Sequence, residues 1–347
     1  MTAPTPIADR YVRQARFAPL GEEGQRALGD GRALVCGCGA LGTVIANTLV
    51  RAGVGHVRIA DRDFVELSNL QRQVLFDEQD VADGLPKAIA AAAKLRQINS
   101  TVTVEPVVVN VDHRNLPGLL DDIDVVLDGT DNFETRFLLN DAALKFRVPW
   151  VYGGCLGAEG QTMSIVPGQT PCLRCLIPEP PPPGSAPTCD TAGILAPVIN
   201  VIASLQAAEA IKILSGHADQ VSPWLTVIDV WESRLRQISL ASLADRSACP
   251  TCSGTEYPWL DGGRLSQSAV LCGRNSVQLT FPESSRLNLA ELANKLSAMG
   301  TVQANPFLVR CRLPEHTITV FPDGRAIIGG TEDEIEARAL YARYVGH

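Results

Sequence analysis

LVCGCGALG, residues 34–42, runs from an apolar stretch into three glycines spaced Gly37-x-Gly39-x-x-Gly42. Ala33–Cys38 reads as a buried strand and Leu41–Ala52 as a helix, so the glycines fall at a strand-to-helix turn. His56–Ala60 reads as the next strand, and Asp61 ends it. In that setting glycines let the backbone turn tightly and approach a phosphate. The helix N-terminus offers unpaired N–H groups, and the acid after the second strand accepts hydrogen bonds from ribose hydroxyls. A bound nucleotide follows, although the loop alone does not say which one.

Outward from this unit the same alternation continues. An alanine-rich helical stretch, Lys87–Leu95, precedes a strand at Val102–Val109 and an apolar run at Ile123–Leu127, with later strands at Trp150–Gly153 and Leu225–Val230. Strands alternating with helices predict a Rossmann-like α/β fold, a mostly parallel sheet with helices on both faces. IPEPPPPGSAPT, residues 177–188, is too rich in proline for a helix interior or a central strand and predicts an extended solvent-facing loop.

Beyond Cys252 the texture changes. Val277, Leu279 and Phe281 alternate, Leu289, Leu292, Ala293 and Leu296 follow helical spacing, and strands are expected at Phe307–Leu313, Thr317–Phe321 and Arg325–Ile328. Thr331 and Glu334 are spaced as a capping box for a last helix. The expected organisation is an N-terminal helical arm over 1–30, a nucleotide-binding domain over 31–254, a linker over 255–266 and a small C-terminal α+β domain over 267–347.

A formal net charge of −8 over 347 residues argues against nucleic acid as the main partner. MTAPTPIADR lacks the charged region and apolar run of a secretory signal. The apolar segment Ile194–Leu205 is interrupted by Pro197 and Asn200 and falls short of the ~20 residues of a membrane span. These features predict a cytoplasmic protein without a membrane partner. Its ten cysteines then read as metal ligands or reactive thiols rather than disulfides.

After Asp61 the chain continues as DRDFVELSNLQRQ (61–73), GLPK (84–87) and DGTDN (128–132). Asn69, Arg72, Lys87 and Asp131 supply more cationic and Mg²⁺-binding chemistry than hydride transfer needs, and Asp63 and Asn132 stand beside them as candidate cofactor-binding residues. A nucleotidyl transfer, by contrast, must neutralise a departing pyrophosphate and hold a metal. The constellation favours ATP with Mg²⁺. Taken singly, Arg72 or Lys87 reads as a solvated surface charge.

Two Cys-x-x-Cys pairs, Cys172/Cys175 and Cys249/Cys252, have the spacing of one tetrahedral Cys₄ site for structural Zn²⁺. Cys36, Cys38, Cys155, Cys272 and Cys311 read as buried structural thiols. The five histidines, His56, His113, His217, His316 and His347, show no pairing and no neighbouring nucleophile.

RYVRQ (10–14), GCGALG, DRDFVELSNLQRQ, LPK, DGTDNFETR, both cysteine pairs and TCDTAGILAP (188–197) together resemble the ThiF/MoeB/HesA family, relatives of ubiquitin-activating enzymes, from about Arg10 to Cys252. The resemblance implies activation of a ubiquitin-like sulfur carrier whose C-terminal Gly-Gly carboxylate attacks the α-phosphate of ATP. It implies that Asp61 binds ribose, that Asn69, Arg72 and Lys87 bind phosphates, and that Asp131 places the α-phosphate through Mg²⁺. It further implies that Arg13 reaches the ATP site of the other subunit of a homodimer, and that Cys189 can take an acyl group or persulfide. Ala40 stands where the family usually has glycine. Adenylation of a different carboxylate, on a peptide or a tRNA, stands as an alternative. So do an NAD-dependent oxidoreductase and a non-catalytic nucleotide-binding scaffold. For the C-terminal domain the expectations are binding of the carrier or a sulfur donor, or reinforcement of the dimer, with Gly329-Gly330 as a bend before the last helix.

Overall fold

Strand β1 (Arg32–Cys36) is buried on both faces after its first residue, the pattern of a central strand in a parallel sheet. Its side chains divide by parity: Ala33 and Val35 join one core, Leu34 and Cys36 another. The structure is a computed structural model that describes residues 9–182, 189–242, 246, 248–264, 268–271, 275–279 and 287–346. Backbone contacts divide the chain into Met1–Pro182 with Gly193–Arg264, and Pro183–Ala192 with Leu265–His347.

The first unit opens with α1 (Val12–Ala15) and α2 (Gly21–Asp30), followed by β1, α3 (Ala40–Ala52), β2 (His56–Asp61), α4 (Glu78–Asp83), α5 (Lys87–Ile98) and β3 (Thr103–Val108). It continues with α6 (Leu116–Leu119), β4 (Val125–Asp128), α7 (Phe133–Phe146), β5 (Trp150–Leu156), β6 (Glu159–Ile165) and α8 (Leu173–Leu176). Past α9 (Cys189–Ala192), which belongs to the second unit, come α10 (Ala196–Leu214), β7 (Trp224–Asp229) and β8 (Arg234–Ser239).

The eight strands lie in the order β3-β2-β1-β4-β5-β6-β7-β8. Pairing is parallel from β3 to β5 and antiparallel from β5 onward. Val35 lies level with Ile59 on one side and Leu127 on the other. Because β2 and β4 flank β1, the chain direction of the winding reverses between β1 and β4, which is where open α/β sheets bind their ligands. One core packs α3, α5 and α10 on the sheet, and the other packs α7 with Trp150 and Tyr152. The apolar α10 is a core helix, with Val198, Ile199, Ile202 and Ala203 buried.

Sequence patterning does not signal β6 or β8. β6 is a mixed-polarity hairpin partner, and β8 is an exposed edge strand without alternation. The expected linker also differs from the observed structure: Trp259 is buried against Phe137, with ring centroids 4.5 Å apart, and its backbone N–H donates to Asp141 Oδ2 at 2.9 Å. A large aromatic ring finds more apolar surface against α7 than a solvated linker would allow it. Of the proline-rich stretch, residues 183–188 lie outside the described residues, as do Phe281, Cys272 and His347.

The second unit contains β9 (Ser268–Leu271), β10 (Ser276–Leu279), α11 (Leu289–Leu296), β11 (Thr301–Asn305), β12 (Leu308–Arg312), β13 (Thr317–Val320), β14 (Ala326–Gly329) and α12 (Glu334–Tyr344). Its sheet is antiparallel in the order β11-β12-β13-β14-β10-β9. Val277, Leu279, Val309, Ile318, Val320 and Ile328 form its core with Leu292 and Leu296 of α11 and Ala337 and Tyr341 of α12. The cap of α12 is Asp333, which accepts from Ile335 N–H, rather than Thr331; the Thr331 hydroxyl instead bonds Glu336 and accepts from Asp333 N–H. Gly330 turns the chain with φ +97°.

Candidate functional site

The site is built first from backbone. Gly37 adopts φ +89°, a left-handed conformation that favours glycine, and its N–H donates to Ala60 O at 2.8 Å. Gly129, just past β4, donates to Cys36 O at 2.8 Å. The two loops touch through main chain: a Cβ on Gly37 would come within 2.6 Å of Gly129 O, and one on Gly42 would overlap the Gly37 carbonyl oxygen. Gly39 differs, because a Cβ there would meet nothing nearer than Gly129 O at 3.8 Å. The first and third glycines therefore let strand, loop and helix pack, while the second leaves open space. Gly39 is also the N-cap of α3 and supplies no side-chain cap, so the helix end keeps N–H groups available for an anion. Ala40 is the first residue of α3, and its methyl does not disturb the helix start.

Around this loop the polar residues interlock. Asp61, buried at the end of β2, accepts from Cys38 N–H at 2.5 Å and from Asp63 N–H at 2.6 Å. Burial pushes its carboxyl above the usual carboxylate range, and Lys87 pulls it back. Lys87 is not the solvated charge that its type suggests. Its side chain is 4% exposed, its Nζ stands 3.3 Å from Asp63 Oδ2, and its N–H donates to Asp63 O at 2.9 Å. Asn69 is buried and closes a short turn by accepting from Glu66 N–H at 3.3 Å. Its carbonyl accepts from Gln73 N–H at 3.0 Å, and Gln73 reaches back toward Gly39. Arg72, half-buried, donates to Ser68 O at 2.8 Å.

Asp131 is exposed on the loop that leaves β4. Its neighbour Asn132 caps α7 by accepting from Thr135 N–H at 2.9 Å, and Asn132 Nδ2 lies 3.5 Å from Asp131 Oδ1. Gly37, Gly39, Ala40, Gly42, Asp61, Asp63, Lys87, Asn69 and the Asp131 loop thus gather at one end of the sheet. Arg13 is not tied to them. It is exposed on α1, which is anchored by Gln14 donating to Ala52 O at 2.9 Å and by the Tyr11 hydroxyl accepting from Asn99 at 2.7 Å. α9 begins at Cys189, whose side chain lies outside the described residues.

A second cluster brings together Cys172, Cys175, Cys249 and Cys252, with all four sulfurs within 4.8 Å of one another. Cys172 and Cys175 Sγ are 3.9 Å apart, Cys172 and Cys249 3.7 Å, Cys175 and Cys252 3.5 Å. A tetrahedral ion with Zn–S bonds of ~2.3 Å needs sulfurs about 3.8 Å apart, so the set fits zinc. Hydrogen bonds from the Cys172 and Cys175 thiols hold the Cys252 thiol below its ordinary pKa, favouring a thiolate ligand. Asn140 accepts from Leu173 N–H at 2.8 Å, and Arg174 stacks over Trp259 at 5.4 Å, bracing the first pair. Cys36, Cys38 and Cys311 are buried free thiols and Cys155 is half-buried.

Residue type and spacing along the chain do not single out Asp128, Arg136, Gln73 or Gln206. The first two stand in DGTDNFETR, where an acid ends a strand and a basic residue follows in the next helix.

The ThiF family model matches residues 11–251. A sulfur carrier protein ThiS adenylyltransferase of Bacillus subtilis is 45% identical over 341 residues, covering 98% of this chain and 100% of that protein. That match extends through the second unit. A sulfur carrier protein adenylyltransferase of Thermus thermophilus is 39% identical over 249 residues, 70% of this chain and 90% of the relative. Among solved structures, Escherichia coli MccB with ATP superposes with a TM-score of 0.61 at 24% identity, over 71% of this chain and 75% of MccB, which shows the shared fold. By its family match and its full-length likeness to the Bacillus protein, the chain belongs to the ThiF family.

Proposed function

We infer that this enzyme adenylates the C-terminal glycine carboxylate of a ubiquitin-like sulfur carrier at the expense of ATP. The observation that carries this is the 45% identity to a ThiS adenylyltransferase over 98% of the chain. The crevice between β1 and β4 agrees with it: an uncapped helix N-terminus, open space at Gly39 and a buried lysine suit a polyphosphate.

In this reaction a carboxylate oxygen attacks the α-phosphorus, a P–O bond forms, and the bond to the bridging oxygen breaks, releasing pyrophosphate. The carboxylate is already ionised near neutral pH, so no general base is needed. Rate comes from positioning and from neutralising charge as pyrophosphate departs. Asp61 would accept from ribose hydroxyls with the lone pairs that its two N–H bonds leave unused. Asn69, Arg72 and Lys87 would hold the phosphates, with Asp63 keeping the Lys87 ammonium in place. Bound Mg²⁺ would supply charge neutralisation, and the exposed Asp131 carboxylate is a suitable hard oxygen donor for it. Arg13 would act from the other subunit of a homodimer. Cys189 would take the carrier's acyl group from the adenylate as a thioester, with AMP leaving, or a sulfane sulfur from a persulfide donor whose own sulfur leaves as a thiol. The Cys₄ cluster would hold a structural zinc, a closed site without catalysis. A reducing cytoplasm would keep these thiols free.

The test is pyrophosphate release from Mg-ATP by the purified protein, with a panel of small carriers ending in Gly-Gly. Release that depends on one carrier, and falls about 10³-fold in Asp131→Ala, is the expected result. Measurable ATP binding with no release for any carrier would overturn the carrier assignment.

A further inference from the structure

Asp128, the last residue of β4, is fully buried, and both its carboxylate oxygens and its carbonyl accept hydrogen bonds. Its Oδ1 accepts from Thr130 N–H at 2.9 Å and from the Thr130 hydroxyl at 2.7 Å. Its Oδ2 accepts from Arg136 Nε at 3.1 Å. Its carbonyl accepts from Gln206 Nε2 at 2.9 Å, and the same Gln206 nitrogen reaches Val151 O at 3.1 Å. Burial pushes the Asp128 carboxyl up and Arg136 brings it down again.

Arg136, in the second turn of α7, grips more than Asp128. Its second nitrogen, Nη2, donates to Thr130 O at 2.8 Å and to Gly153 O at 3.1 Å. The guanidinium lies over Phe133 at 5.7 Å and Tyr152 at 5.4 Å, which fixes its plane. A buried ion pair is poor evidence of stabilisation, since taking both charges out of water offsets much of their attraction. What this one does is geometric. The Thr130 carbonyl belongs to the peptide that joins Thr130 to Asp131, so holding it orients the backbone from which the Asp131 carboxylate projects.

We propose that Arg136 is a positioning residue for adenylation, pinning the Thr130–Asp131 peptide between β4 and β5 so that Asp131 stands where the reaction needs it. The proposal rests on the role given to Asp131 above. Lysine can pair with Asp128 but lacks the planar fork that also reaches the Thr130 and Gly153 carbonyls. Arg136→Lys should therefore fold, bind ATP within about twofold of wild type and lose kcat by ~10², the scale of a misplacement near 1 Å.

The experiment is a double-mutant cycle on the full chain with Asp131→Asn. It measures kcat and KM for ATP by pyrophosphate release with a Gly-Gly carrier, and the melting temperature of each variant. If Arg136 acts through Asp131, Arg136→Lys adds less than about threefold in the Asp131→Asn background. Thr130→Val, which removes only the hydroxyl bonded to Asp128, provides the same test if Arg136→Lys does not fold; it should lower kcat about fivefold with an unchanged melting temperature. Full turnover in the folded variant beside an impaired Asp131→Asn overturns the clamp alone. A penalty that multiplies fully with that of Asp131→Asn overturns it too. Wild-type turnover in Asp131→Asn overturns the role of Asp131 itself.

Discussion

The glycine loop and the cysteine cluster solve opposite problems. The loop is made of backbone: Gly37, Gly42 and Gly129 are in contact through carbonyls that a side chain would displace. The cluster is made of side chains, two thiol pairs 77 residues apart that meet only after the sheet has formed. A site of backbone fails when space is filled, whatever the chemistry of the filler. A site of side chains fails when its chemistry is removed, even where the space is untouched.

Gly42→Ala should show the largest effect. The added methyl would overlap a main-chain oxygen that cannot swing aside, where overpacking costs roughly 3 kcal/mol or more. We expect loss of the cooperative melting transition by circular dichroism; a wild-type melting curve would break the contrast at its backbone end. Metal removal comes next. An excess of chelator should lower the melting temperature by roughly 10 °C, because zinc binding is folding free energy for a closed Cys₄ site. Elemental analysis that finds no zinc in the purified chain, or chelation without any shift, would break the other end.

Gly39→Ala sharpens the comparison, since its methyl has open space. It should melt like wild type yet bind ATP about tenfold more weakly by calorimetry, the methyl standing where a phosphate approaches the helix end. Unchanged affinity would show that the nucleotide lies elsewhere.

The smallest effect is one of pH, in the packing behind the cysteine cluster. Burial raises the pKa of Asp141 from 3.8 to about 6, and unfolding restores the lower value. Below about pH 6 the folded state takes up a proton that the unfolded chain does not yet bind, so this group favours folding as pH falls and weighs against it above that value. The melting temperature of Asp141→Asn relative to wild type should therefore be higher near pH ~7.5 than near pH ~5.5. A difference that stays constant across that interval would remove Asp141 from the account.

Much of the first unit was legible because its signals are local. The strand, glycine turn and helix around LVCGCGALG occupy consecutive residues, and β1, α3 and β2 form within a residue or two of where the pattern puts them. Lys87 shows the limit of residue type as evidence. Lysine alone reads as surface, yet an isolated antiparallel bridge between Phe64 and Pro86 brings its ammonium under cover beside Asp63. Arg136 shows the same limit from the other side. Nothing in FETR distinguishes it from an exposed helical arginine until β5 supplies the Gly153 carbonyl and Tyr152 a ring to lie on.

By itself the sequence determined the α/β class, the glycine loop with the acid that ends the next strand, the two thiol pairs and the separate texture of the last eighty or so residues, because each depends on neighbours in the chain. Tertiary structure alone decided that the thiol pairs meet, that Trp259 belongs to the first unit's core and that the loop carrying Asp131 is anchored through Asp128, Arg136 and Gln206. Those contacts join residues far apart in the chain. Their partners are set by which strands lie side by side, and hydrophobic periodicity along the chain does not encode that order.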